Sequence, residues 1–394
     1  MYNPPTMNKP IYLDYAATTP VDPRVAEAMS ECLTLEGVFA NAASRSHIYG
    51  WQAEEKVEEA RCDLADFLNC DPREVIWTSG ATESDNLALK GVFEAQEFSG
   101  HLITSEIEHK AIIDTAKYLE TRGVEVTWLR PNADGLILAA DVETAIKEDT
   151  RLVSLMFVNN ETGVINPIEE IARICRQAEV LFHVDAAQAL GRISFSLEKI
   201  SVDLMSFSAH KFYGPKGVGA LFVRRSAHHQ VKAQIHGGGH ERGLRSGTLP
   251  THQIVGMGKA VKLLAESLDE EIAKTIELRD LLWRGISTLP GLRRNGHPDH
   301  LSPGHLNVCF SGLEGENLLL SLRELAISSG SACTSASTSP SYVLKAMGLN
   351  DQDALSSLRI SLGRFTTRDD IDRAIRHICD TIQRLQASEK SAAR

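Results

Sequence analysis

With 394 residues, 43% of them hydrophobic and 24% charged, the chain is too large for one ordinary domain and too apolar for a disordered or fibrous polymer. Its 41 Lys+Arg against 52 Asp+Glu leave a net charge of −11, which opposes unaided binding to nucleic-acid phosphates. No run is long and apolar enough to span a bilayer, and the first ten residues lack the apolar core of a signal peptide, so a cytoplasmic protein is expected. Seven cysteines, an odd number without C-x-x-C spacing, indicate neither a disulfide framework nor a zinc site.

Residues 11–20 read as a short strand ending in a turn, and Pro23 suits the first turn of a helix over 23–33. A polar loop at 41–47 precedes a charged amphipathic helix over 51–68. The run 74–79 is a strand, and Gly80 leads through Ala81 and Thr82 into a helix over 86–93. Free N–H groups at that helix start, with the Thr82 hydroxyl, would suit a phosphate; an ordinary capped helix uses the same residue types.

A strand at 102–105 is followed by His109, at the end where ligands gather in open α/β sheets, although a lone histidine is more often structural. A helix over 110–121, a strand over 124–129, a helix over 140–147 and a strand over 151–159 follow. Asn160 then either makes a plain turn or holds a substrate carboxylate or a cofactor ring. After a helix over 168–178, the strand 180–184 runs straight into Asp185. An acid closing a buried apolar run needs a positive partner, and a protonated pyridine nitrogen is one. Gln188 is placed to donate to the hydroxyl of such a ring.

The strand 204–207 empties into Ser208, Ala209, His210 and Lys211, and Gly214-Pro-Lys-Gly217 stops it. A lysine at a strand end is ordinarily a solvated charge. Here it follows a serine and a histidine, precedes glycines and has Asp185 upstream, which together suggest a Schiff-base lysine holding pyridoxal phosphate (PLP). With 220–223 as a returning strand, the alternation from 74 to 223 predicts a mostly parallel sheet covered on both faces, with Asp185 and Lys211 on one rim. Neither a dinucleotide-binding nor an ATP-binding glycine loop is present.

The glycine-dense, basic stretch 234–248 is either a surface loop or a phosphate contact reaching across a dimer interface. A long helix over 252–289 marks the domain change. Strand 305–310, helix 314–325 and short strand 326–328 lead to the serine-rich segment 328–340, which nothing pins to a core. Cys333 stands alone in it. It is either an incidental linker residue or, unlike the other six cysteines, exposed, mobile and reactive. A helix over 342–347 precedes the strand 357–362, whose Arg359 needs an anion: a substrate carboxylate or an internal Asp or Glu. A final helix over 371–385 and a polar tail close the chain.

Assembled, the motifs Tyr12-Leu-Asp-Tyr-Ala-Ala-Thr-Thr-Pro20, Thr78-Ser-Gly-Ala-Thr-Glu-Ser-Asp-Asn86, His183-Val-Asp-Ala-Ala-Gln188, Ser208-Ala-His-Lys211, Gly237-Gly-Gly-His-Glu-Arg-Gly-Leu-Arg-Ser-Gly-Thr248 and Ser328-Ser-Gly-Ser-Ala-Cys333 resemble those of the group I cysteine desulfurases of the NifS/IscS type. The resemblance covers nearly the whole chain. It implies an α/β fold of the type I PLP-dependent class, with a mostly parallel seven-stranded sheet flanked by helices and a smaller α+β domain. Residues 20–262 would form the large domain, and 1–19 with 263–394 the small one.

Carried over by position, the resemblance makes Lys211 the cofactor-anchoring lysine, Asp185 the partner of the pyridine nitrogen, Gln188 the donor to the ring oxygen and His109 the ring-stacking acid/base residue. Ala81, Thr82, Ser208 and His210 match the phosphate side, with Thr248 supplied by the second subunit of a homodimer. Asn160 and Arg359 match groups that orient the amino acid and its carboxylate. The implied reaction removes sulfur from L-cysteine, releases L-alanine and leaves a persulfide on Cys333, destined for an iron–sulfur scaffold, for transfer RNA thiolation or for another acceptor. Cys333 would also serve, through that persulfide, as a transient iron–sulfur ligand shared with the scaffold. The tail after Leu385 is shorter than the scaffold-docking extension of housekeeping bacterial relatives. Another type I PLP enzyme would not need the Cys333 segment, and a non-catalytic sulfur relay would not need Lys211.

Overall fold

The computed structural model describes residues 9–329 and 339–392; Cys333 lies outside the described residues. β1 (Ile11–Tyr12) is followed by α1 (Pro23–Ser30) and α2 (Ile48–Leu68). An alternation then runs through β2 (Val75–Thr78), α3 (Ala81–Ala95), β3 (His101–Ser105), α4 (Lys110–Thr121) and β4 (Glu125–Leu129). It continues with α5 (Ala139–Ala145), β5 (Thr150–Met156), α6 (Ile168–Gln177), β6 (Leu181–Asp185), β7 (Leu204–Ser208) and β8 (Gly219–Val223). After the long α7 (Thr251–Ile286) come β9 (Leu292–Asn295), β10 (His305–Phe310), α8 (Gly315–Ser321), β11 (Leu325–Ala326) and β12 (Ser328–Ser329). The last elements are α9 (Tyr342–Ala346), α10 (Asp351–Leu355), β13 (Ser357–Ser361) and α11 (Arg368–Ala392).

These elements form two compact units. One comprises Thr18–Asn160 and Val164–Asp269; the other runs to Ala17, takes in Glu161–Gly163 and resumes at Glu270. The sequence-based boundary at 262/263 therefore lies a few residues before the observed one, inside α7. It also misses the three residues at 161–163, whose attachment is a matter of long-range hydrogen bonds. Asn307 Nδ2 donates to Glu161 O at 3.1 Å, Ser302 N to Gly163 O at 2.8 Å, and the Ser341 hydroxyl to the Glu161 carboxylate.

The first unit holds a seven-stranded sheet in the order β2-β8-β7-β6-β5-β3-β4. The strands from β7 to β4 are parallel, and β8 runs against both its neighbours. Strands β2, β3, β7 and β8 are buried at every position, as expected of a sheet covered on both faces. On one face, Leu87 and Phe93 of α3 and Ile112 and Leu119 of α4 pack with Leu102, Leu152, Leu204 and Leu221 of the strands. The 3–4 residue spacing in each helix makes that apolar stripe, which is why these segments are helical.

The second unit contains the antiparallel sheet β12-β13-β10-β9 and the short parallel pair β1-β11. Its core joins Leu278, Leu282 and Ile286 of α7 to Leu306 and Val308 of β10, and to Ile371, Ile378 and Ile382 of α11.

Several elements differ from the sequence expectation, which contains neither β9 nor α10. Helix α3 starts at Ala81, not 86, because the polar residues Ser84 and Asp85 are buried under it and hide the apolar stripe. The segment 314–325 is helical for seven residues only. Helix α11 continues through the stretch read as a tail, to Ala392.

Leu282→Ala removes a fully buried side chain from the second unit's core and is expected to cost about 2–5 kcal/mol, read by urea unfolding.

Candidate active site

β6 and β7 are adjacent parallel strands, and their C-terminal ends fix the site. Asp185 is the last residue of β6; Ser208 ends β7, and a single 3-10 turn, Ala209–Lys211, carries His210 and Lys211 just beyond it. His210 is braced from the N-terminal side of the same unit. Its Nδ1 lies 3.1 Å from Thr18 Oγ1, and its carbonyl accepts from Thr19 N at 2.9 Å. Burial, with Lys211 and Lys216 nearby, drives its pKa down to about 4, so the ring is neutral.

Gly219 opens β8 and pairs with both Thr78 and Ser208. A Cβ there would stand 2.4 Å from Phe207 O and 2.6 Å from Gly80 Cα, so no side chain fits. Gly80, at φ +152°, occupies backbone space that is essentially glycine's own. These two glycines let the start of α3 close onto the end of β7, within reach of Ser208 Oγ. Helix α3 has no side-chain cap, so Ala81 and Thr82 head a first turn whose N–H groups are not claimed by a cap. Thr82 and His109 also line one open cavity of about 420 Å³, with Asn86, Lys90 and Lys110.

His109 is the N-cap of α4, where its Nδ1 accepts from Ala111 N at 3.1 Å. An accepting Nδ1 puts the neutral ring's proton on Nε2. Burial raises the pKa of Asp185, and the electrostatic influence of His109 and of Lys211, together with the Ala187 N–H 2.9 Å from Oδ1, opposes it. Asp185, His109 and Lys211 thus act on one another electrostatically. Gln188 is buried in the turn after Asp185, and Asn160 is half-buried at the end of this unit's segment Thr18–Asn160.

The glycine-rich loop is anchored by a buried ion pair. Arg61 Nη1 and Nη2 donate to Glu241 at 2.8 and 2.9 Å, and Glu241 also accepts from Trp77 N at 2.7 Å. Arg245, further along, holds Glu83 of the first turn of α3 at 2.8 Å. Thr248 follows, exposed. Glu241→Gln leaves Arg61 charged, buried and short of its partner; about 3–5 kcal/mol of destabilisation is expected in urea unfolding.

In the second unit, Arg359 is 2% exposed on β13, and its Nη2 donates to Asp14 Oδ1 at 2.8 Å. The anion among the described contacts is thus an internal aspartate, which Ser328 Oγ also reaches at 3.3 Å.

Asp85, Glu108 and His183 were not singled out from the sequence, yet all three are fully buried around Asp185. The signal for His183 was available: two residues before Asp185 on a strand, it shares that residue's face. Asp85 has none, since the apolar pattern places the helix only from residue 86.

PLP needs an anion site for its phosphate, an acid for its ring nitrogen and an amine. The uncapped α3 start in its glycine cradle, Asp185 and Lys211 have that chemistry.

Comparison with known proteins gives the same family. The aminotransferase class-V family model matches residues 11–374. The cysteine desulfurase IscS of Pseudomonas aeruginosa (strain LESB58) is 56% identical over 383 residues, spanning 96% of this chain and 94% of that one. A solved structure described as a NifS-like protein superposes with a TM-score of 0.88 at 38% identity, over 95% of this chain and 100% of that one. A second, SspA in complex with cysteine, gives 0.80 at 40% identity over 90% and 99%. The chain belongs to the class-V aminotransferase family of PLP-dependent enzymes and, within it, to the IscS/NifS-type cysteine desulfurases.

Proposed function

We propose that this chain removes sulfur from L-cysteine, releasing L-alanine and leaving a persulfide on Cys333. The observation that carries the reading is the meeting of Asp185, His109 and Lys211 beyond the C-terminal ends of β6, β3 and β7 of one sheet, beside the glycine-cradled start of α3. When bound, PLP supplies an electron sink for charge released at the substrate's α-carbon.

The chain's own residues do the rest. Lys211 would anchor the cofactor, and its amine would move a proton at the substrate's α-carbon. His109, with Nδ1 committed to Ala111, has Nε2 for proton transfer, and its ring would stack on the cofactor. Asp185 holds the ring nitrogen, and Gln188 donates to the ring oxygen. Ala81, Thr82, Ser208 and His210 take the phosphate, with Thr248 reaching in from a second copy of the chain. Asn160 orients the amino acid, and Arg359 takes its carboxylate; a guanidinium has five N–H donors, so Asp14 and a substrate carboxylate suit it together.

The Cys333 thiolate attacks the substrate sulfur. The carbon–sulfur bond breaks, a sulfur–sulfur bond forms, and the carbon takes a proton, so cysteine plus thiol become alanine plus persulfide. An external thiol or a protein acceptor, such as an iron–sulfur scaffold or a transfer RNA thiolation partner, then collects the sulfur. At the scaffold, Cys333 serves as a transient iron–sulfur ligand through its persulfide.

A homodimer is supported by a run of large apolar side chains left exposed within one short segment: Leu33 at 57%, Leu35 at 70%, Ile48 at 55% and Trp51 at 52%. No described helix is long and apolar enough to cross a membrane. The six described cysteines are all free, which suits a reducing cytoplasm.

Cys333→Ser is expected to keep the bound-cofactor absorption band and lose alanine formation from cysteine; undiminished turnover would refute the role of Cys333. Lys211→Ala is expected to lose the band and the activity together, measured on the same preparation.

A further inference from the structure

The mechanism uses one buried acid, but two more stand with it. Asp85 of α3 and Glu108, after β3, are 0% exposed, and both act electrostatically on the Asp185 cluster. The strand register builds the setting. His183 and Asp185 share one face of β6, with Ser154 of β5 opposite His183 and Ser206 of β7 opposite Asp185. The His183 ring is held from both sides, Nδ1 2.8 Å from Ser154 Oγ and Nε2 2.9 Å from Ser206 Oγ.

Asp85 descends from α3 onto the same ring, with Oδ1 3.6 Å from His183 Nε2, beyond hydrogen-bonding range. Among the described residues the Ser206 hydroxyl reaches the Asp85 carboxyl, and neither Asp85 oxygen makes a hydrogen bond of full geometry. A carboxylate so placed would lack the donors that replace water.

The three acids face different surroundings. Asp185 has the Ala187 N–H, with His109 and Lys211 acting on it electrostatically to lower its pKa. Glu108 accepts from Ser105 Oγ at 2.6 Å and from the Met156 N–H, yet burial pushes it up to about 8. Asp85 faces Asp185, Glu108 and a histidine that burial drives down to about 3, so burial first and then Asp185 push its own pKa well up. Three carboxyl groups sharing one dry site cannot all ionise.

We propose that Asp85 stores a proton at neutral pH, with His183 neutral beside it, and that this stored proton leaves the cluster's negative charge on Asp185, facing the cofactor's ring nitrogen. One order of protons then runs through the group: Asp85 O–H toward Ser206, Ser206 O–H to His183 Nε2, and His183 Nδ1–H to Ser154 Oγ. Asp85 and His183 are positioning residues that fix where the charge sits. The benefit to the ring nitrogen rests on the function proposed above; the stored proton does not.

The test is urea unfolding of holoenzyme and of Asp85→Asn across pH, at matched PLP content. A carboxyl whose pKa is raised on folding stabilises the fold fully below its unfolded pKa of about 3.9, and that contribution is lost as pH rises toward its folded pKa. Asparagine does not titrate. The wild type is therefore expected to lose stability relative to Asp85→Asn by about tenfold in the unfolding constant per pH unit above about pH 4, leaving the variant the more stable at neutral pH. An Asp85 carboxylate paired with a charged His183 gives the opposite sign, because the variant then strands a buried cation. A variant no more stable at neutral pH overturns the proposal. Should the variant not fold, isotope-edited infrared of the wild type decides: a protonated aspartic carboxyl stretch persisting at neutral pH is expected, and imidazolium signals from His183 would contradict it. Neither arm reads desulfurase turnover, so failure here is separable from failure of the proposed reaction.

Discussion

A carboxylate at the buried end of a central strand is the constraint around which this molecule is arranged. Asp185 is 5% exposed, and an ionised acid removed from water to that extent costs several kcal/mol unless cations and hydrogen-bond donors replace the solvent. The parallel register of β6 and β7 brings Lys211 to it, and the start of α4 brings His109. A cationic ring nitrogen, the partner proposed above, would complete the set of charges that such a site favours.

The second requirement is close backbone approach. Gly219 lies between the ends of β2 and β7 with no room for a side chain, and Gly80 turns the chain directly from β2 into α3. The result is an uncapped helix start beside Ser208, one strand from Lys211, so phosphate and amine chemistry lie together on a rigid edge. The Arg61–Glu241 and Arg245–Glu83 pairs then tie the glycine-rich loop to α2 and to the first turn of α3. Positioning comes from buried contacts between segments far apart in sequence.

That distance explains what could be read beforehand. Asp185 and Lys211 were legible because each terminates an apolar run, and α4 was legible because its apolar spacing is local. The start of α3 was not, since Ser84 and Asp85 are polar yet buried, and sequence periodicity assumes that polar residues face water. The partner of Arg359 was left open between a substrate and an internal acid; Asp14 lies 345 residues away, and no local pattern announces it. The acid cluster behind Asp185 depends on strand register and on a helix laid across it, neither of which a linear pattern encodes.

The reaction itself is tested most directly by a single turnover of holoenzyme with L-cysteine, without added reductant, followed by quenching and peptide mass analysis. Alanine equal in amount to a one-sulfur gain on the Cys333 peptide is the expected result. Alanine without that gain, sulfur on another cysteine, or a keto acid in place of alanine would contradict it.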